Sequence, residues 1–478
     1  MQFNTIKYLV FLFIVFAVTL ALSKLRNSRW IILLLASLIF YYTWQPYYVA
    51  LLLFSAALVY STGLLMGRSP DLKTRRRWLW AGGGVQLLIL FFFKYTEPII
   101  SSITGLNPKS AEYPLFRILL PVGISFYTFQ ALSYLFDIYY GFRKEERHAG
   151  YFAAYLTSFP QLISGPIERS GNFLKQLRQP FVFNLQETAL GTRRIVWGLF
   201  KKVVVADRIG AIVDPVYYDV TNYHGAILFF VSLLYVFQLY FDFSGYSDIA
   251  IGSAEVLGIK LGENFNHPLS SKSVTEFWRK WHISLGNWLR DYVYNPILFA
   301  NKKWGKSAIY FALLVTFLIC GIWHGAKWNY VIFGSLQAFA LVVEAILARK
   351  RKQWANSKTR KVYLAISWVL TFTFIFISDI FFRSGTVEDA THIIQSFVSS
   401  NWRLEELLAY VNMLTKPKLA FSLMFLISLI IVDRRISQFA HGKKDFGQFG
   451  NALVSGSMMA MVIIFGYWGK VAFLYFQF

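Results

Sequence analysis

Between two apolar blocks the chain reads Gly321-Ile322-Trp323-His324-Gly325-Ala326-Lys327-Trp328, which sets a histidine among glycines at the end of a hydrocarbon-like run. A neutral imidazole can take a proton from a hydroxyl nucleophile near pH 7, and flanking glycines let a substrate approach the backbone closely. A histidine that caps a helix end by bonding a carbonyl would have the same neighbours, so the spacing alone leaves both roles open. A second histidine lies in the stretch 272–292. There Val274, Phe277, Trp278, Trp281, Leu285, Trp288, Leu289 and Tyr292 recur at i, i+3, i+4 and i+7, which predicts one amphipathic helix with a tryptophan-rich face. Lys272, Arg279, Lys280 and Arg290 are then available to water or phosphate. At about 100° per residue His282 falls roughly 80° from the centre of the apolar stripe. From that flank it either looks into a cavity or, on a helix lying along anionic lipid, is solvated.

Other polar residues sit in apolar surroundings. Tyr240-Phe241-Asp242-Phe243-Ser244-Gly245-Tyr246-Ser247-Asp248 carries two carboxylates after an apolar segment, suited to a substrate hydroxyl or to hydrogen-bonded turns; no metal site is expected. Cys320 and His324 are four apart and share a helical face, which allows either a Cys–His nucleophile or a packing thiol. As the only cysteine, Cys320 excludes an intramolecular disulfide and a cysteine-based zinc site. Gly82-Gly83-Gly84 suggests close helix packing, Ser164-Gly165-Pro166 a break ending a membrane segment, and His267 has no evident partner.

The elements that must position these residues are membrane helices. Of 478 residues 56% are hydrophobic and only 15% charged, and the apolar blocks are about 15–22 residues long, near the length that crosses a hydrocarbon core. A soluble fold is excluded. The formal charge of +23 sits mainly in short gaps between blocks, where it sets topology and does not point to nucleic acid. Basic loops around Lys24–Arg29, Arg68–Arg77, Arg143–Arg147, Arg349–Lys361 and Arg434–Lys444 are placed in the cytoplasm, with both termini outside. Residues 1–148 form ordinary spans, with Lys94–Pro114 an outer loop. Residues 149–306 are interrupted, with short pieces such as Ile195–Val205, Ala226–Tyr240 and Ile249–Leu257, some of them re-entrant around a cavity. Residues 307–478 return to full spans, the last Ala452–Phe476. The expected fold is a single all-α polytopic membrane domain with about eleven spans.

Several of these segments occur together in one order: Pro121-Val122-Gly123-Ile124-Ser125-Phe126, Ser158-Phe159-Pro160-Gln161-Leu162-Ile163-Ser164-Gly165-Pro166-Ile167, Tyr240–Asp248, Asn264-Phe265-Asn266-His267-Pro268, Phe277–Leu285 and Gly321–Gly325. In this the chain closely resembles the membrane-bound O-acyltransferase family, in its bacterial polysaccharide branch. The resemblance implies a ring of spans around re-entrant segments and a central tunnel, with His324 as the active-site histidine and His282 as the second histidine across the chamber. Trp281, Asn287, Arg290, Trp323, Asp242 and Ser244 are candidates for the tunnel or for substrate binding. The implied donor is a cytoplasmic thioester, acetyl-CoA, with no bound cofactor, its phosphates within reach of Lys280 and Arg290. Phe473-Leu474-Tyr475-Phe476-Gln477-Phe478 resembles an aromatic C-terminal motif in which the tyrosine takes the acyl group, so Tyr475 is a candidate acyl carrier; an aromatic belt residue is the plain alternative.

The implied activity is O-acetylation of a cell-surface or secreted polysaccharide, peptidoglycan or alginate among them, from the bacterial cytoplasmic membrane, with membrane lipid and an extracytoplasmic SGNH-type transferase as partners. D-alanyl transfer to teichoic acid is the alternative of the same class. A transporter of an acyl donor or lipid, or a scaffold of an exopolysaccharide machinery, is the alternative outside it.

Overall fold

The computed structural model describes residues 1–25, 27–104, 120–163, 165–399, 402–413, 416–468 and 473–474, and among them there is no β-strand. Seven helices among the described residues are long and apolar enough to cross a membrane: Tyr47–Arg68, Leu72–Ser101, Gly225–Val256, Lys306–His324, Trp328–Ile346, Arg360–Arg383 and Gly447–Phe465. Ile6–Ala21 and Ser28–Tyr42 are shorter apolar helices. At 1.5 Å per residue a 19-residue helix is about 28 Å long, close to the thickness of the hydrocarbon core. The protein is an all-α, multi-pass membrane protein.

Several boundaries differ from those read off the apolar blocks. Leu72–Thr104 is one 33-residue helix containing Pro98, so the expected loop starting at Lys94 is helical up to Thr104; one proline removes one ladder bond without ending a helix that is held elsewhere. Ala226–Tyr240 and Ile249–Leu257 are not separate pieces. They join in the helix Gly225–Val256, which runs unbroken through Asp242 and Asp248, so neither is a turn residue. Ile195–Val205 likewise belongs to a longer run, Leu185–Leu199 passing through a π-helical stretch Phe200–Ala206 into Asp207–Tyr218. The last helix stops at Phe465, well short of Phe476. A side chain at Gly466 would stand 2.4 Å from the Val462 carbonyl oxygen, so glycine is required where the chain leaves the helix.

The chain divides into two compact units, residues 1–195 with 246–263 and residues 196–245 with 264–478. In the first, the glycine-rich run packs closely at Gly82, whereas a Cβ at Gly84 would meet nothing within 4 Å. A Cβ at Gly82 would meet the Thr62 side chain at 2.3 Å, and one at Gly63 the Tyr134 ring at 2.6 Å. Arg194, 3% exposed, holds Asp248 at 2.9 Å and Glu263 at 2.5 Å, which explains how a carboxylate survives inside a long apolar helix.

The second unit contains both histidine motifs. Lys306–His324 and Trp328–Ile346 form a helical hairpin joined by three residues. Its backbones touch at Gly321 and Gly334, whose Cα atoms stand in each other's path: a Cβ at Gly321 would lie 2.3 Å from the Tyr330 oxygen, and one at Gly334 2.4 Å from the Phe317 oxygen. Gly325 has an extended backbone and accepts the Tyr330 ring where a Cβ would come within 2.6 Å of it. The glycines flanking His324 therefore serve helix and ring packing.

The stretch 272–292 is not one helix. Val274–Lys280 and Ile283–Leu289 are separated at Trp281-His282, and a π-helical turn Arg290–Tyr294 follows. The apolar periodicity was real, but His282 takes φ 41° and ψ 54°, the left-handed region that non-glycine residues adopt at a cost. Residues 264–266 lie along the break and repair it. Asn266 N–H donates to the Lys280 oxygen and Ile283 N–H to the Asn264 oxygen, both at 2.9 Å.

Candidate active site

His324 is the last residue of its helix and is 5% exposed. Its ring sits among aromatic rings, 4.7 Å from Trp323 and 4.9 Å from Phe382, the latter edge to face. His282 is 1% exposed, so the solvated position on an interfacial helix is ruled out. Both histidines line one narrow cavity, with Trp281, Phe333, Gln337 and Asp379 among the other walls. Its free space of about 20 Å³ admits about one water.

The state of the His282 ring follows from its partners. Asn264 presents Oδ1 to the Ser284 N–H at 3.3 Å, and a backbone N–H can only donate. The same oxygen takes the Ser284 hydroxyl at 2.9 Å and faces His282 Nδ1 at 3.0 Å. Nδ1 must therefore carry the hydrogen, and Nε2 is the basic nitrogen. His282 lies between two seven-residue helices, outside the spans, and burial pushes its pKa down to about 3, so the ring is neutral at physiological pH. The edge of the Phe243 ring closes the other side, with centroids 4.8 Å apart.

The wall opposite is tied together by a chain of hydrogen bonds. Trp278 Nε1 donates to Gln337 Oε1 at 3.0 Å, and Gln337 Nε2 donates to Ser378 Oγ at 2.9 Å. These bonds link the short helix before His282, the hairpin that bears His324 and the helix Arg360–Arg383. Next to Ser378, Asp379 brings a buried carboxyl group to the cavity. Sequence reasoning missed Asp379, although a single acidic residue inside the apolar run 362–382 is the usual mark of intramembrane function. It also missed Asn264 as the residue that fixes the His282 tautomer, because only the folded chain shows that pairing.

The remaining candidates are distributed as follows. Trp281 lines the cavity, and Trp323 packs on the His324 ring. Asn287 and Arg290 meet each other, with Arg290 Nη1 donating to Asn287 Oδ1 at 3.0 Å while Arg290 also pairs with Asp291 at 2.8 Å. Asp242 is bound to Lys202, and Ser244 Oγ accepts from Lys201 Nζ at 3.1 Å. These four do not line the cavity. Cys320 is buried one turn before His324. His267, expected to lack a partner, has one: Nδ1 lies 2.7 Å from Asp433 Oδ2. Tyr475 lies outside the described residues.

Residues 148–384, which contain both histidines and every cavity residue named above, match the membrane-bound O-acyltransferase family. Among curated proteins, a probable alginate O-acetylase of Pseudomonas syringae pv. tomato is 37% identical over 404 residues, covering 83% of this chain and 76% of that protein. A peptidoglycan O-acetyltransferase of Helicobacter pylori is 32% identical over 407 residues, covering 80% and 75%. A teichoic acid D-alanyltransferase of Bacillus subtilis is 29% identical over 321 residues, covering 63% and 77%. The chain belongs to the membrane-bound O-acyltransferase family and is an O-acyltransferase.

Proposed function

We propose that the protein acetylates a polysaccharide at hydroxyl groups, taking the acetyl group from a cytoplasmic thioester, acetyl-CoA, and delivering it across the bacterial cytoplasmic membrane. The observation that carries this reading is the cavity shared by His282 and His324 in a chain whose relatives include alginate and peptidoglycan O-acetylating proteins. His324 is the general base. It accepts the proton of an incoming hydroxyl as the oxygen attacks the thioester carbonyl; the carbon–sulfur bond then breaks and the thiolate leaves with a proton. His282, neutral and held in one tautomer, offers its Nε2 to the same chamber, to which Asp379 also brings a carboxyl group. Lys280 and Arg290 supply positive charge for the donor's phosphates.

Tyr475 is the proposed first acceptor. Its phenol would take the acetyl group and hand it to an extracytoplasmic SGNH-type transferase that selects the polymer. The match to a D-alanyltransferase covers less of the chain at lower identity, which ranks D-alanyl transfer second.

The test is the O-acetyl content of cell-wall and secreted polysaccharide in a deletion strain carrying the wild-type gene or His324→Ala at equal membrane abundance. Return of acetylation with the wild type alone supports the enzyme, and the modified polymer identifies the pathway. Full restoration by His324→Ala would make the histidine structural and favour transport or scaffolding. Tyr475→Phe with undiminished acetylation would remove the carrier step alone.

A further inference from the structure

Beyond the helix Gly447–Phe465 the described residues are held in place. Arg208 donates from Nε and Nη2 to the Phe465 oxygen at 2.8 and 2.7 Å, which fixes the point where the helix ends. Tyr467 N–H then donates to the Val203 oxygen at 2.8 Å. Val203 lies in the π-helical stretch Phe200–Ala206, a widened turn of the kind that recurs at functional sites. Farther on, Phe473 and Leu474 are buried, 2% and 3% exposed. Leu474 N–H donates to Asp242 Oδ2 at 2.9 Å. The other oxygen of Asp242 is paired with Lys202, whose ammonium also holds Asp207 at 2.7 Å. All three charged side chains are at most 2% exposed.

Two carboxyl groups share one ammonium in an apolar interior, where an acceptor left without a donor is costly. The backbone N–H of Leu474 supplies the missing donor to Asp242. Asp242 therefore has both of its oxygens bonded only while residue 474 is seated. Phe473 also stands one ring behind a chamber residue: it lies 5.7 Å from Phe243, and Phe243 meets His282 edge to face.

We propose that Lys202, Asp207 and Asp242 form a buried receptor for the C-terminal segment, with Asp242 the positioning residue that holds residue 474 through its backbone and so keeps Phe473 behind the Phe243–His282 wall. The bond is made by the main chain, so Leu474→Cys keeps the donor. The effect on acetylation rests on the acetyl-transfer reading, whereas the seating does not.

The experiment uses full-length protein in native membranes and the labelling rate by membrane-permeant N-ethylmaleimide. The parent chain, whose only cysteine is the buried Cys320, sets the background. Leu474→Cys should label at least tenfold more slowly than Lys443→Cys, which lies on an exposed loop residue. Adding Asp242→Ala to Leu474→Cys should raise labelling at least fivefold and lower polymer acetylation at least tenfold. Asp242→Asn, which keeps a carbonyl acceptor, should retain more of both. The proposal is overturned if the Leu474→Cys thiol in the otherwise unchanged chain reacts as fast as that of Lys443→Cys, a result that needs no folded Asp242 variant. It is equally overturned if Asp242→Ala, at normal abundance and melting temperature, leaves labelling slow, or frees the thiol without reducing acetylation. His324→Ala and Tyr475→Phe in the Leu474→Cys background should keep labelling slow, which separates failure of the catalytic or carrier reading from failure of the receptor.

Discussion

The two histidines reach the same cavity by opposite routes. His324 ends a regular 19-residue helix whose position is set by close backbone packing at Gly321 and Gly334, with aromatic rings filling the rest. His282 stands where helical geometry fails, in a left-handed residue between two seven-residue helices, and is held by hydrogen bonds from the 264–266 strip. A helix end placed by van der Waals packing tolerates polar changes nearby but not added volume. A residue held in a strained conformation by a few polar contacts tolerates the reverse, and it persists only while those contacts over-determine it.

The largest effect should come from the packed side. His324→Ala is expected to lower polymer acetylation by about 10²–10⁴-fold, the range for removal of a general base, while membrane abundance and detergent melting stay close to wild type; a decrease under tenfold would count against the role. On the stitched side, Asn264→Ala strips the acceptor from the His282 ring, the Ser284 N–H and the Ser284 hydroxyl at once. It should reduce acetylation at least tenfold, of the order expected when buried donors lose a partner worth about 1–3 kcal/mol. Asn264→Asp, which keeps acceptor oxygens, should recover part of that activity. Equal activity in the wild type and the alanine variant would mean that the His282 tautomer does not matter.

Volume separates the two regions in the other direction. Gly321→Val places atoms against the Tyr330 and Gly334 backbones, which cannot move aside, and should cost about 1–3 kcal/mol, read as a lower melting temperature and reduced abundance. Gly325→Ala meets only the Tyr330 side chain on an extended backbone, so its effect should be smaller. If the two substitutions melt alike, the hairpin is not fixed by the Gly321–Gly334 contact.

This contrast also explains what was legible in the sequence. Spans, basic loops and the His324 motif are local patterns of hydropathy, charge and spacing, so they can be read from one strand of text, and the family resemblance rests on the same runs. The break at Trp281-His282 could not be read that way, because the apolar period continues through it and the cause lies some 15 residues away in Asn264 and Asn266. Asp242 and Asp248 read as suited to a substrate hydroxyl or to hydrogen-bonded turns, because the partners that let them sit inside a helix, Lys202 and Arg194, are distant in sequence. Asp379 was legible by the same intramembrane rule that singled out His324 and was overlooked.

The smallest effect tests the electrostatics of the stitched region alone. In the folded protein His282 stays neutral until the pH approaches about 3, whereas in the unfolded chain an ordinary imidazole titrates near 6.5. Between those values the unfolded state binds the extra proton, so stability is lost as pH falls below about 6.5 and is regained as pH rises. For one such group the loss between pH 7 and pH 6 is about 0.7 kcal/mol. His282→Gln removes the titrating ring, so the wild type should lose slightly more melting temperature than this variant over that single pH unit, all other groups being shared. Parallel melting curves for the two proteins across that step would show that the His282 ring is reached by protons in the folded state, and the buried, singly protonated imidazole described above would have to be abandoned.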